Sequence, residues 1–334
     1  MKTGVLQFFS WPNRRVDLTT VYARALERIE VMDRSGYDAV WLAEHHFTAF
    51  SVCPSVHLMA MLAAARTRRL RIGTAVSLAA FYHPLRLAEE VALLDVLSGG
   101  RVNWGAGRGF DRTEFENFGI SPEDSVSRFR ETVEIVLRAW TEHRLDFAGQ
   151  HFRYADVEVL PKPLQKPHPP TWLATTSDPS VEWAAEQGFS ILMDPHSSHG
   201  EIARKQRLYA ERLAAAGHSI GGRDIPVARL LAVAPTRAEA EAVAERGVRW
   251  IIDSYADIRH RPVLPFGNLG LDTGGDRVAR YLSDIAIHGT PDSVVDQIER
   301  LRGEMNLEYL LCAPLSQETF TVFTESVLPR LLAW

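Results

Sequence analysis

Strand-like and helix-like segments alternate along almost the whole chain, and this alternation limits the possible folds more than any other feature of the sequence. Short apolar segments rich in β-branched and aromatic residues predict strands that are buried on both faces. They are residues 3–9, 38–43, 71–78, 101–107, 170–176, 189–194, 226–234 and 308–313. Between them, apolar residues recur at helical spacing, as in Leu18 to Ser35. Eight strands, each followed by a helix, predict an α/β fold: a closed eight-stranded βα (TIM) barrel.

The length of the chain predicts insertions in this barrel. Its 334 residues exceed the roughly 250 of a simple barrel, and we expect a single domain over residues 1–334. One insertion, at 143–168, contains a hairpin-like segment and a proline-rich loop. A second, at about 256–286, contains the glycine- and proline-rich segment 259–276, which we expect to act as a lid. An open doubly wound sheet is the alternative, but the first strand lacks the glycine fingerprint of that fold.

Composition excludes several classes of protein. The formal net charge is −5 and no basic patch is present, so a nucleic-acid partner is not expected. No apolar run approaches the roughly 18 residues that span a bilayer, and the N-terminus lacks the pattern of a signal peptide. The two cysteines, Cys53 and Cys312, form no metal or redox motif. We therefore expect a cytoplasmic protein without a membrane segment.

Three titratable residues follow the second predicted strand, in WLAEHHFTAF (41–50). They are Glu44, His45 and His46, and in folds built on parallel strands chemistry occurs where strands end. Neighbouring side chains of a strand point to opposite faces, so the two histidines should diverge and should not share a metal. No metal site is expected. Position alone leaves two interpretations open, a functional site and a hydrogen-bonded polar strand end.

Two further strand ends carry residues suited to a phosphate. Arg108 stands among glycines in WGAGRGFD (104–111), where the backbone can approach a ligand and a guanidinium can hold a phosphate. Hydroxyl residues, including Thr176, Ser177 and Ser180, lie between a strand and the start of a helix, which favours an anion. A tight turn and ordinary helix capping are the alternatives. Together the strand ends predict a site for a phosphorylated, planar cofactor.

Several stretches of the chain resemble the bacterial luciferase-like family of flavin monooxygenases. The matching stretches are GYDAVWLAEHHFTAF (36–50), LRIGTAVSLAAFYHPLRLAEEVALLDVLSGGR (70–101), GRGFD (107–111), VEWAAEQG (181–188) and IHGTPDSV (287–294). The resemblance implies a TIM barrel that binds reduced FMN supplied by a separate NAD(P)H:flavin reductase. It implies that dioxygen adds to the flavin C4a position, giving a peroxide that oxidises a small organic substrate. Aldehyde or ketone oxidation of the Baeyer–Villiger type and hydroxylation are both open.

The resemblance also assigns roles to individual residues. His45 matches the catalytic histidine of the family, and Arg108 matches its phosphate-binding arginine. The other positions that match cofactor-binding residues are Ala75, Val76, Gly107, Ala174, Thr176, Ser177 and Ser180. Ala75 and Val76 fall where the family has a non-prolyl cis peptide beneath the flavin ring. His46 and Glu89 match residues that pair across a dimer interface, which implies a homodimer.

The chain departs from the family at two of these positions. Thr176 stands where the family has a glutamate, which removes a negative charge beside the expected phosphate. Gly107 replaces a reactive cysteine, so we expect more room near the reactive edge of the flavin. Two alternative functions stay open: a deazaflavin-dependent oxidoreductase of the same superfamily, and a non-catalytic flavin-binding partner subunit.

Overall fold

Parallel strands close into an eight-stranded barrel in the computed structural model, which describes residues 1–256 and 276–334. The strands are β1 (Lys2–Gln7), β2 (Ala39–Leu42), β3 (Arg71–Thr74), β4 (Ser77–Leu78), β5 (Val102–Gly107), β6 (Leu145–Ala148), β7 (Arg153–Val157), β8 (Thr171–Thr175), β9 (Ser190–Met193), β10 (Pro226–Val233), β11 (Ile287–Gly289) and β12 (Tyr309–Pro314). The barrel order is β1, β2, β3, β5, β8, β9, β10 and β12, and β12 pairs again with β1. Parallel pairing brings the carboxyl ends of all eight strands to one mouth.

Each predicted strand overlaps one strand of the barrel, so the predicted fold is confirmed. The segment 71–78 differs in detail, because it is interrupted between β3 and β4. The peptide bond at this interruption, Ala75–Val76, is cis, as the family resemblance predicts. The strand β11 was not predicted. It has only three residues, Ile-His-Gly, and extends the pairing of β10 at Leu231–Val233.

Helices surround the barrel and connect its strands. They are α1 (Leu18–Ser35), α2 (Val56–Arg66), α3 (Pro84–Leu97), α4 (Arg112–Phe118), α5 (Ser125–Thr141), α6 (Asp178–Glu186), α7 (His199–Ala215), α8 (Arg237–Ala256), α9 (Arg277–Asp284), α10 (Pro291–Met305), α11 (Gln317–Val322) and α12 (Leu328–Leu332). The apolar residues at helical spacing in α1, among them Val21, Ile29 and Met32, are buried, as their pattern predicts. Ser55 and Ser198 cap α2 and α7 by accepting a backbone N–H at each start.

A tryptophan fills the interior of the barrel. Trp41 of β2 is fully buried, and its ring packs edge-on against Trp172 at a centroid distance of 5.2 Å. Its indole nitrogen donates to Tyr309 Oη at 3.1 Å. A Cβ atom at Gly73 would lie 2.4 Å from the Trp41 ring, so the neighbouring strand needs a glycine there. Side chains therefore fill the interior of the barrel at the level of Trp41.

The two predicted insertions have different outcomes. The first contains the antiparallel hairpin β6–β7, followed by an irregular segment in which Lys162 donates to Ala139 O at 2.7 Å. The second contains α9, but residues 257–275, and with them nearly all of the predicted lid 259–276, lie outside the described residues. Within residues 1–256 and 276–334, no helix has both the length and the apolar character needed to cross a membrane.

Candidate functional site

A cavity of about 370 Å³ opens at the mouth formed by the carboxyl ends of the strands. Its volume lies in the range of small-molecule sites. All of the residues to which the sequence assigns a catalytic or cofactor-binding role line this cavity. They are His45, Ala75, Val76, Gly107, Arg108, Ala174, Thr176, Ser177 and Ser180. Side chains from the ends of β2, β3, β5 and β8 therefore meet in one place, although their roles there stay proposals.

His45 occupies an aromatic and acidic corner of the cavity. Its Nδ1 lies 3.5 Å from Oε1 of Glu114, a carboxylate of α4 that is 1% exposed. The imidazole also packs against Phe50 and Phe110 at ring-centroid distances of 5.3 and 6.0 Å. A buried carboxylate beside one ring nitrogen restricts the tautomer and orientation of a histidine, which leaves the other nitrogen for a ligand.

His46 does not line the cavity, but β2 ends at Leu42, so the alternation of a strand does not account for the divergence of the two histidines. Its Nε2 lies 3.0 Å from Oε1 of Glu44, which is buried and also accepts a hydrogen bond from Tyr82 Oη at 2.9 Å. Burial and the neighbouring Glu44 carboxylate raise the pKa of Tyr82, so its hydroxyl stays protonated and donates. Both interpretations of this strand end therefore hold: His45 and Glu44 line the cavity, and Glu44 also joins His46 in a hydrogen-bonded network.

Arg108, which is expected to bind a phosphate, is accompanied at the cavity by a second arginine, Arg130. Arg108 Nη1 donates to Ser125 Oγ at 2.9 Å, and burial lowers the pKa of this arginine without removing its charge. Arg130, from α5, also lines the cavity, and its guanidinium lies 4.8 Å from the ring centroid of Trp183. Arg130 was not predicted from the sequence, because it lies inside α5, away from every strand end.

The hydroxyls before α6 cap the helix and line the cavity at the same time. Ser180 Oγ accepts from Ser177 N at 3.2 Å, which is one of the two bonds of a capping box, and it donates separately to Ser177 O at 2.6 Å. Ordinary capping, the alternative noted above, is thus present. Because both serines also line the cavity beside Thr176, the start of α6 faces a ligand at this point.

The prediction of extra room beside Gly107 is wrong. A Cβ atom at this glycine would lie 2.3 Å from Cγ2 of Val76, so the side chain of Val76 fills the volume that Gly107 leaves. No sequence pattern indicates this contact, because Val76 lies in the interruption between β3 and β4, whereas Gly107 ends β5.

His196 is a second histidine that lines the cavity. Its Nδ1 lies 3.3 Å from Tyr281 Oη, and its ring packs against Tyr255 at 5.9 Å. Burial lowers the pKa of His196 to about 4, although the carboxylate of Asp194 opposes this shift. His196 is therefore a neutral hydrogen-bonding group at physiological pH. Among the described residues, no His, Cys, Asp or Glu cluster has the geometry of a metal site.

Some of the residues to which the sequence gives a role do not line the cavity. His46 and Glu89, the predicted dimer pair, are both half-buried and do not line it. Among the aromatic residues near the strand ends, Phe8 and Phe110 line the cavity, whereas Phe47, Phe50, Phe81 and Tyr82 do not. The exposed Phe47 packs instead against Phe118, with a ring-centroid distance of 5.4 Å.

Known proteins are similar to this chain in both sequence and fold. A profile of the luciferase-like monooxygenases matches residues 1–305. An uncharacterised protein of Sinorhizobium fredii is 33% identical over 317 residues, which cover 91% of this chain and 89% of that protein. The oxygenase component of the flavin-dependent trigonelline monooxygenase of Acinetobacter baylyi is 31% identical over 190 residues, 55% of this chain and 52% of that protein. The crystal structure of monooxygenase RslO1 from Streptomyces bottropensis matches with a TM-score of 0.84 at 28% identity, over 99% of both chains. With this agreement of profile, relatives and barrel, the chain belongs to the luciferase-like monooxygenase family.

Proposed function

We propose that this protein is the oxygenase component of a two-component flavin-dependent monooxygenase. It binds reduced FMN supplied by a separate NAD(P)H:flavin reductase and uses dioxygen to oxidise a small organic substrate. The observation that carries this proposal is that His45, Ala75, Val76 and Arg108 line one cavity. The relative from Acinetobacter baylyi, itself an oxygenase component, supports the two-component arrangement.

The residues present fit FMN. Two arginines, Arg108 and Arg130, and the capped start of α6 at Ser177 line the cavity, and Arg130 packs on Trp183 of α6; together these groups suit a phosphate dianion. The small and apolar side chains of Ala75 and Val76 line the cavity elsewhere, which suits a flat ring system.

Bound reduced flavin supplies the electrons that activate dioxygen for transfer of one oxygen atom to the substrate. The protein orients the reacting groups and keeps water away from them. Because Glu114 faces Nδ1 of His45, Nε2 is the atom that hydrogen-bonds or exchanges a proton with the reacting oxygen. Phe8 and Phe110 beside this imidazole exclude water from the same corner.

Stopped-flow absorbance tests this function directly. Protein with reduced FMN is mixed with oxygenated buffer, and the return of oxidised FMN is compared with that of free reduced FMN. We expect the protein to delay this return and to release less hydrogen peroxide when an oxidisable aldehyde or ketone is present. Return at the rate of free flavin, despite tight FMN binding, would favour a non-catalytic flavin-binding subunit.

Replacement of His45 isolates its role. We expect His45→Ala to bind FMN within about threefold of the wild-type affinity, to lower product yield by roughly tenfold or more, and to re-form oxidised FMN faster. His143→Ala is the matched control, since the His143 side chain is 81% exposed. An unchanged product yield in His45→Ala would show that His45 has no such role. Preferential binding of a deazaflavin over FMN would favour the deazaflavin-dependent alternative.

We also propose that the protein forms a homodimer through the outer faces of α2 and α3. Leu58 of α2 is 76% exposed and Leu93 of α3 is 48% exposed. Glu89 lies one helical turn before Leu93 on the same face of α3. Apolar side chains exposed together on neighbouring helices favour burial against another surface.

A further inference from the structure

A lysine lies buried behind the phosphate end of the cavity. Lys205 of α7 is only 2% exposed, and lysines are almost never buried to this extent unless they are paired. Its Nζ donates to Thr176 O at 2.7 Å and to Ser197 Oγ at 3.3 Å. Lys205 does not line the cavity, so any effect on a ligand acts through the residues it holds.

The two acceptors of Lys205 belong to different strand ends. Thr176 follows β8 and begins the turn that leads into α6, and Ser197 follows β9 in the segment that carries His196. Ser197 is held further by Asp194, whose carboxylate accepts from both its N–H and its hydroxyl at 2.8 Å. Arg229 of β10 adds a bond from Nη1 to Ser197 O at 2.9 Å. One ammonium thus connects two strand ends that both line the cavity.

The buried charges behind this turn sum to a positive value. Burial lowers the pKa of Arg229 to about 10, so this guanidinium is charged near neutral pH. The ammonium of Lys205 is the second buried cation. Burial alone would raise the pKa of Asp194, but Lys205, His196 and the bonds from His196 and Ser197 lower it overall, so this carboxyl is ionised. The two buried cations therefore face one buried anion.

Glu201 does not cancel this excess. Its Oε1 lies 3.5 Å from Lys205 Nζ, but its side chain is 33% exposed and also accepts two bonds from Arg204. Charges in contact with water are screened far more strongly than buried ones. The excess positive charge consequently acts mainly inward, toward the Thr176–Ser177 turn.

We propose that Lys205 is a positioning residue for the flavin phosphate, which holds the Thr176–Ser177 turn in place and adds positive charge behind it. This inference rests on the proposed binding of FMN in the cavity. It predicts that Lys205 contributes to the affinity for FMN and contributes little to the affinity for riboflavin, which has the same ring system without the phosphate.

The test compares dissociation constants for FMN and riboflavin in the full-length wild type and in Lys205→Met, measured by quenching of flavin fluorescence. We expect Lys205→Met to weaken FMN binding by roughly tenfold, since the charge acts on the phosphate through the intervening turn and not by direct contact, and to change riboflavin binding by less than about twofold. Lys205→Arg keeps the charge and should retain most of the FMN affinity.

Lys162→Met is the matched control. Lys162 Nζ also donates to backbone carbonyls, those of Ala139 and Glu142, but this residue does not line the cavity or contact the Thr176 turn. If Lys205→Met does not fold, Lys205→Gln replaces it, since glutamine keeps a donor without the charge. Equal weakening of FMN and riboflavin, or no weakening of either, would overturn the inference.

The wild-type measurement separates this inference from the proposed function. A wild type that binds FMN no more tightly than riboflavin would contradict the phosphate site itself. A wild type that prefers FMN, together with a Lys205→Met variant that keeps the same preference, would remove only the role of Lys205.

Discussion

Gly107 and Val76 share one volume at the wall of the cavity. The Cγ2 atom of Val76 lies where a side chain at position 107 would begin, 2.3 Å from an ideal Cβ. Valine cannot rotate freely away, because its β-branched side chain strongly prefers one rotamer. The identities of the two residues are therefore coupled: a larger residue at 107 requires a smaller one at 76.

A double-mutant cycle tests this coupling. Gly107→Cys alone should lower the free energy of unfolding by about 1–3 kcal/mol, because it overpacks the cavity wall. Adding Val76→Ala should recover most of that loss, whereas Val76→Ala alone should not stabilise the protein. Urea unfolding of the four proteins measures the interaction term. Additive effects of the two substitutions would mean that the side chains do not compete for space.

Among the elements, α2 and α3 carry the surface we assign to the dimer. Exposed apolar side chains concentrate there, with Leu58 and Leu62 on α2 and Leu93, Val96 and Leu97 on α3. The helices pack on the barrel with their other faces, where Ala60 and Val91 are buried. An amphipathic helix needs only one buried face to pack on a barrel, so the apolar outer faces call for another partner.

A charge on this face tests the dimer. Leu93→Glu should shift the protein from dimer to monomer at micromolar concentration, because a carboxylate at an apolar interface must be desolvated without a partner. Size-exclusion chromatography with light scattering measures the mass. Ile220→Glu, at an apolar residue that is 46% exposed elsewhere on the surface, is the control and should leave the mass unchanged. A wild type that is monomeric would contradict the dimer itself.

For the molecule as a whole, two histidines link stability to pH. Burial lowers the pKa of both His196 and His199 to about 4. The charge of Arg229 lowers the pKa of both histidines further. For His196, the neighbouring His45 also lowers the pKa, whereas the carboxylate of Asp194 raises it. Between about pH 6.5 and pH 4 the unfolded chain binds more protons at these positions than the folded protein does. The contribution of these two histidines to stability is therefore fully present above about pH 6.5 and is lost as the pH falls toward 4.

His196→Gln should reduce this acid sensitivity. For a single histidine with these two pKa values, the loss between pH 7.5 and pH 5 amounts to about 2 kcal/mol. The difference in unfolding free energy between these two pH values, from urea titrations, should therefore be smaller in His196→Gln than in the wild type. His143→Gln, at an exposed histidine, should behave like the wild type. Equal acid sensitivity in all three proteins would contradict a neutral, buried His196.

The barrel was predictable because its signals are local. Each strand is a short apolar run, and each helix repeats apolar residues at its own period, so a few consecutive residues are enough to identify an element. The positions of His45 and Arg108 followed from the same order, since residues at the carboxyl ends of parallel strands meet at one mouth. The short strand β11 was not predicted, because three residues are too few for a pattern. The predicted lid at 259–276 lies almost entirely outside the described residues.

The remaining parts of the site depend on contacts between residues far apart in the chain. Glu114 faces His45 across 69 positions, and Lys205 reaches Thr176 across 29. Neither contact follows from spacing, because each depends on how a helix is rotated and packed against the barrel. The order of apolar and polar residues thus specified the barrel and its functional mouth. Packing between distant segments specified which charges and side chains surround a ligand there. It also placed the side chain of Val76 in the space beside Gly107.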